Sequence, residues 1–152
     1  MKKLTCLLLS LMFCCVFAQA QKIPTSKVPA QAGKAFRDKF PQAQQDSWSM
    51  EGKDAYEVEF FNGKKKQSAV FDATGKWLET ETEIQFGQLP HAVASGFDKE
   101  FGGFKVNEVN EVETPDKGIV YEIDVAKGRE TYTATFSAKG ELLKKEKPTD
   151  ED

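Results

Sequence analysis

The chain has 152 residues, 30% of them charged and 39% hydrophobic, with 6 prolines and 11 glycines. That composition excludes a disordered tail, a collagen-like fibre and an assembly of many domains. The 24 acidic residues outnumber the 21 basic ones for a formal charge of −3, a balance that suggests no nucleic-acid partner.

At the start, Lys2 and Lys3 precede an apolar run over residues 7–13, and the segment closes on Ala18-Gln19-Ala20. This is the order of regions in a secretory signal peptide, read here as residues 1–20. Without it, 132 residues carry 19 basic and 24 acidic side chains, a formal −5. All three cysteines, Cys6, Cys14 and Cys15, lie in the signal, so the remainder has no disulfide and no thiolate ligand or nucleophile. Lipidation at Cys14 or Cys15 is the weaker reading, because bulky Phe13 stands where a small residue is wanted before Cys14. No later apolar run approaches the ~18 residues of a membrane span. The expectation is a periplasmic or secreted protein that does not cross a membrane after signal removal.

Residues 56–79 repeat at 121–144. Tyr56-Glu57-Val58-Glu59-Phe60 aligns with Tyr121-Glu122-Ile123-Asp124-Val125, and the match runs on through Gly63/Gly128, Ala69/Ala134, Phe71/Phe136, Ala73/Ala138, Gly75/Gly140 and Leu78/Leu143. Eight of the 24 pairs are identical, against about one or two from average composition. Upstream, the offset of 65 becomes 61, pairing Pro29 with Pro90, Phe36 with Phe97 and Phe40 with Phe101. The expected domains are a first repeat at 21–87 and a second at 88–147, followed by an acidic tail at 148–152 that reads as frayed.

In chain order, each copy opens with a helix. Val28, Ala32, Phe36 and Phe40, and then Leu89, Val93, Phe97 and Phe101, recur every four residues, one apolar stripe of an amphipathic helix. Pro29 and Pro90 suit the first helical turn, and Pro41 or Gly102-Gly103 the stop. The period then becomes two. Strands are expected at 47–51, 56–60, 67–71 and 77–86, and again at 106–113, 119–125 and 132–136, with turns at Asn62-Gly63, Gly75, Gly128 and Gly140. The fold class is therefore α+β: two tandem helix-plus-four-strand repeats forming an antiparallel sheet, with both helices on one face. Alternation sends Glu57, Glu59, Phe61, Ser68, Val70, Trp77, Glu79, Glu81, Glu83, Glu122, Asp124, Thr131, Thr133 and Thr135 to the other, open face.

Val-Pro or Leu-Pro opening a Phe-containing helix, Tyr-x-Val-x-Phe, and Phe71-Asp72-Ala73-Thr74-Gly75-Lys76-Trp77-Leu78 make the chain resemble the PepSY-like, β-lactamase-inhibitor-like family of exported bacterial proteins. The resemblance covers residues 23–147 in two copies. It implies a tandem architecture with a shared curved sheet and no defined activity. PepSY modules elsewhere are associated with restraining peptidases or with regulation in the cell envelope.

Chemistry is sparse. His91 is the single histidine, placed at a helix start with no elbow motif or His-x-x-x-His pair to use it, so no catalytic residue is assigned. Glu79, Glu81 and Glu83 line one side of a strand at about 7 Å spacing, with Glu57 and Glu59 nearby. A solvated sheet face explains them, and no calcium-loop pattern is present. Lys64-Lys65-Lys66 reads as a solvated turn. Outward aromatics are frequent anchors for partners, which makes Trp77 and Phe61, ringed by Glu57, Glu59, Glu79 and Glu81, the candidate partner site. The function expected is a non-catalytic binding, inhibitory or regulatory module that docks a cell-envelope protein or peptide on the open face, without cofactor. The alternative is a carrier of a small cationic ligand or metal on the acidic face.

Overall fold

The computed structural model describes residues 22–147; the signal peptide read at 1–20 and the acidic tail read at 148–152 lie outside them. In chain order come β1 (Lys22–Ile23), α1 (Ala30–Lys39), β2 (Ala43–Glu51), β3 (Ala55–Asn62), β4 (Lys65–Asp72), β5 (Trp77–Glu83), α2 (His91–Phe101), β6 (Lys105–Thr114), β7 (Gly118–Lys127), β8 (Glu130–Ser137) and β9 (Leu142–Glu146). Short 3-10 turns, Thr25–Lys27 and Phe86–Gln88, precede the two helices. The nine strands form one sheet whose spatial order is the sequence order, with every neighbour antiparallel. The class is α+β.

Boundaries depart from the sequence reading by a few residues, each for a local reason. Pro29 and Pro90 are not in the first helical turn but just before it, with extended ψ of 136° and 141°. β2 begins at Ala43 rather than at residue 47, because pairing resumes beyond an irregularity between Gln44 and Ser47. β5 stops at Glu83 rather than at residue 86. There the chain turns into the 3-10 segment, where the Gln85 N–H donates to Gln88 Oε1 at 2.8 Å.

Two aromatic cores form. Phe36 of α1 meets Trp48, Phe60 and Phe71 edge-on, with ring centroids 5.5, 5.1 and 6.4 Å away. Ala32, Val58 and Ala69 complete this core. Phe97 and Phe101 of α2 pack with Val109, Tyr121, Ile123, Val125, Ala134 and Phe136. Edge-on aromatic pairs add about 0.5–1.5 kcal/mol each beyond the area they bury. Cross-strand partners carry one row through Phe60, Gln67, Thr82, Glu111, Tyr121 and Phe136. The row is apolar at its two ends and polar in the middle, where Gln67 Nε2 donates to Thr82 Oγ1 at 2.8 Å and the Tyr121 hydroxyl to Glu111 at 3.3 Å.

The β4–β5 and β8–β9 turns share one device. Asp72 Oδ1 accepts from the N–H groups of Thr74 and Lys76 at 2.8 and 3.0 Å, which holds its carboxyl below the usual range, the Thr74 hydroxyl contributing most. In the later turn Ser137 Oγ accepts from Lys139 and Glu141 at 3.3 and 3.2 Å. Side chains that bond the backbone two residues on stabilise such turns. Asp72→Ala is expected to cost about 1 kcal/mol in chemical unfolding, and Asp72→Ser to recover most of it.

Candidate functional site

Pairing fixes which residues share the side opposite the aromatic rows. Ser49, Glu57, Val70 and Glu79 form one row, and Ser47, Glu59, Ser68, Glu81, Val112 and Val120 the next. Glu83, Asn110, Glu122 and Thr135 follow, then Glu108, Asp124 and Thr133. Val70, Val112 and Val120 are 3, 2 and 6% exposed, yet belong to neither aromatic core. The centre of this face is therefore apolar and acidic together.

Glu79 is 8% exposed. Burial, then repulsion from Glu81, Glu51, Glu122 and Glu57, pushes its carboxyl up to about 9. Burial and the charges of Glu122, Glu57, Glu51 and Glu108 push Glu81 up to about 8, and burial with Glu57 pushes Glu51 up to about 7. The apolar neighbours explain the desolvation: Val70 stands opposite Glu79 and Val112 opposite Glu81. Outer members of the cluster are hydrogen-bonded. Ser49 donates to Glu57 at 3.3 Å, Asn110 to Glu108 at 3.0 Å, Thr135 to Glu122 at 3.3 Å and Thr133 to Asp124 at 2.6 Å. The inner members are not: Glu51 Oε2, Glu79 Oε1 and Glu81 Oε1 are buried without a partner.

Of the residues chosen from sequence, Glu57, Glu59, Glu79 and Glu81 come together on this side, and Phe61 stands 41% exposed at its margin, opposite Lys66. Trp77 does not join them. An irregularity between Val70 and Phe71 makes Leu78 an extra residue, so Trp77 pairs with Phe71 and packs on the α1 core. Lys39 lies 3.7 Å from its ring centroid, and its indole N–H donates to Thr80 at 3.0 Å. A bulge reverses the alternation that put Trp77 outward. Trp48 is likewise core, at 3% exposure.

Sequence reasoning missed Glu51, Glu108 and Val112, and placed Glu122 on the face without assigning it to the site. Glu51 falls in phase with Ser47 and Ser49 and was within reach of simple alternation; Val112 was not, because an apolar residue carries no mark of which face it occupies. His91 is exposed at the start of α2. Among the described residues no group of three or more His, Cys, Asp or Glu is disposed to hold a metal ion, and no helix is long and apolar enough to cross a membrane.

Comparison with known proteins agrees with this architecture. No curated protein matches the chain. Solved structures do: a BLIP-like protein from Bacteroides fragilis is 27% identical with a TM-score of 0.73, over 88% of this chain and 94% of that one. A putative periplasmic protein from Bacteroides eggerthii is 25% identical with a TM-score of 0.73, over 79% and 88%. A DUF2874 family protein from Bacteroides ovatus, 24% identical with a TM-score of 0.73 over 80% and 89%, shares the fold. A family profile described as "Putative beta-lactamase-inhibitor-like, PepSY-like" matches residues 54–144. With the matched span reaching from the β2–β3 turn into β9, the chain belongs to the PepSY-like, β-lactamase-inhibitor-like family.

Proposed function

We propose that this periplasmic or secreted chain is a non-catalytic module with an inhibitory or regulatory role, docking a protein or peptide partner on the sheet face that the helices leave bare. The observation that carries the reading is the pairing of an exposed Phe61 with a desolvated acidic and apolar centre on one face. Phe61, Glu57, Glu59, Glu79 and Glu81 form the proposed contact surface; Trp77 leaves it. Both helices cover the opposite face, and the chain is two copies of one unit, 21–87 and 88–147. Two features support this: each half places a helix before four strands, and the bulge beside Phe71/Trp77 recurs beside Phe136/Leu142. The second reading, a carrier of a small cationic ligand, draws on the unpartnered carboxyl oxygens.

An aromatic anchor at an interface commonly contributes 2 kcal/mol or more on truncation. Phe61→Ala is therefore expected to weaken capture of envelope proteins on immobilised chain by at least about tenfold, with circular dichroism unchanged. Equal capture by a folded Phe61→Ala variant would remove Phe61 from the site and the docking reading with it.

A further inference from the structure

The two ends of the sheet are closed unequally. At the first, β1 covers β2 at Trp48 and Ser49. At the other, β9 is the last strand, and among the described residues nothing pairs with its outer edge. An uncovered edge presents N–H and C=O groups ready to bond another extended chain.

The first half of the chain shows how such an edge is covered. β5 is the counterpart of β9 at an offset of 65: Leu78 matches Leu143, Thr80 matches Lys145, and the bulge beside Phe71 recurs beside Phe136. On β5 the edge is occupied by β6, with Thr80 opposite Glu113, Glu81 opposite Val112 and Thr82 opposite Glu111. Leu78 is half-buried there, whereas Leu143 is 52% exposed. β9 thus carries the apolar residue of a covered edge without its cover.

The charge of the edge narrows what that cover is. Lys145 and Lys147 stand where β5 has Thr80 and Thr82. Both lysines are exposed, and neither belongs to an ion pair among the described residues. Lys144, opposite Thr135, is paired with Glu146 at 2.7 Å. With the β5–β6 register kept, a strand laid on β9 sets the position of Glu113 opposite Lys145 and that of Glu111 opposite Lys147, with an apolar residue between them. Opposite charges on directly facing residues favour pairing and like charges oppose it. A second copy offering the same edge brings lysines near lysines, so the edge selects against itself.

We propose that the outer edge of β9 receives an extended, acidic segment of a partner protein as one more antiparallel strand, with carboxylates facing Lys145 and Lys147 and an apolar contact on Leu143. In strand addition the main chain supplies affinity and alternate side chains supply specificity. This edge shares no residue with the Phe61 surface, so the proposal goes beyond the docking reading and fails or holds apart from it.

The test is fluorescence anisotropy with a labelled, end-blocked peptide copying residues 108–114, Glu-Val-Asn-Glu-Val-Glu-Thr. A peptide with lysine in place of the last two glutamates accompanies it, as do two peptides N-methylated at alternate residues in opposite phase. The expected result is saturable binding of the acidic peptide, weakened by about tenfold or more in the lysine peptide. One of the two N-methylated peptides loses binding and the other keeps it, because only alternate N–H groups face β9. Lys145 rests on the Tyr132 ring at 3.9 Å, so the charge is reversed at exposed Lys147 instead. Lys147→Glu is expected to weaken the acidic peptide and strengthen the lysine peptide, with circular dichroism unchanged. No binding of the acidic peptide, equal binding of both N-methylated peptides, or a charge preference that Lys147→Glu leaves unaltered overturns the proposal. A dimer in sedimentation that Leu143→Asp dissolves assigns the edge to a second copy, and binding seen only after removal of residues 148–152 assigns it to the chain's own acidic end. Either result overturns a separate partner.

Discussion

Gly140→Ala is expected to destabilise the fold by about 3 kcal/mol or more, the largest effect of any single methyl group added to this chain. Gly140 sits at φ +81° in the β8–β9 turn, and a Cβ there would overlap the Ala92 carbonyl oxygen and crowd the Val93 nitrogen at 3.2 Å. On the other side of the same contact, a Cβ on Gly96 of α2 would overlap the Gly140 carbonyl oxygen. Turn backbone thus rests directly on helix backbone, and neither can yield as a flexible side chain could. Gly75 makes a similar but looser approach, its Cβ falling 2.7 Å from the Gln31 carbonyl oxygen at φ +86°, so Gly75→Ala is expected to cost less than Gly140→Ala but more than a turn glycine with open space around it. Gly63, at φ +64° with nothing within 4 Å, is the control. It carries only the left-handed backbone penalty of about 1–2 kcal/mol. Urea unfolding of the three variants ranks them, and a Gly140→Ala midpoint equal to that of Gly63→Ala would mean that the close approach does not govern stability.

Stability is expected to decline as pH rises from about 5 to 9, opposite to the behaviour of a protein held by ionised carboxylates. The inner carboxyls are pushed up to about 9 for Glu79, about 8 for Glu81 and about 7 for Glu51, while the unfolded chain releases these protons near the ordinary glutamate value of 4.5. Between those limits the folded state binds more protons than the unfolded state, so each added pH unit favours unfolding. The contribution is whole below pH 4.5 and is lost as pH passes through each folded value. Glu79→Gln removes the largest share and is expected to raise stability at pH 8 by on the order of 2 kcal/mol, with little change at pH 5. Thermal unfolding of both proteins at pH 5 and pH 8 checks this. A wild-type melting temperature that climbs with pH, or a variant less stable at pH 8, would show that Glu79 ionises freely in the fold.

The strands and helices were legible because their signals are local. Phe36 and Phe40, like Phe97 and Phe101, mark a helical stripe in any context, and Tyr56-Glu57-Val58-Glu59-Phe60 can bury one side only as a strand. Gly63 and Gly75 announced turns because positive φ is costly for other residues. Trp77 was misplaced for an equally physical reason. Parity holds along a strand only while the pairing is regular, and the extra residue Leu78 at the Val70/Phe71 irregularity turns the indole to the core. Bulges arise from pairing with a neighbour, which one strand's alternation does not record.

The acidic face divides in the same way. That Glu57, Glu59, Glu79 and Glu81 share a side was contained in the chain, since it follows from period-two geometry. That Glu79 and Glu81 are desolvated there was not. Their burial depends on Val70 of β4 and Val112 of β6 lying opposite them, and their repulsion on Glu51 of β2 and Glu122 of β7 converging from distant positions. By itself, the sequence determined both helices, seven of the strands and the turns between them, and the alternation wherever pairing is regular, all set by steric and hydrophobic preferences of near neighbours. Which carboxyls lose their water was decided only when the strands met, because desolvation and charge repulsion depend on distance in space, and the chain order does not carry that distance.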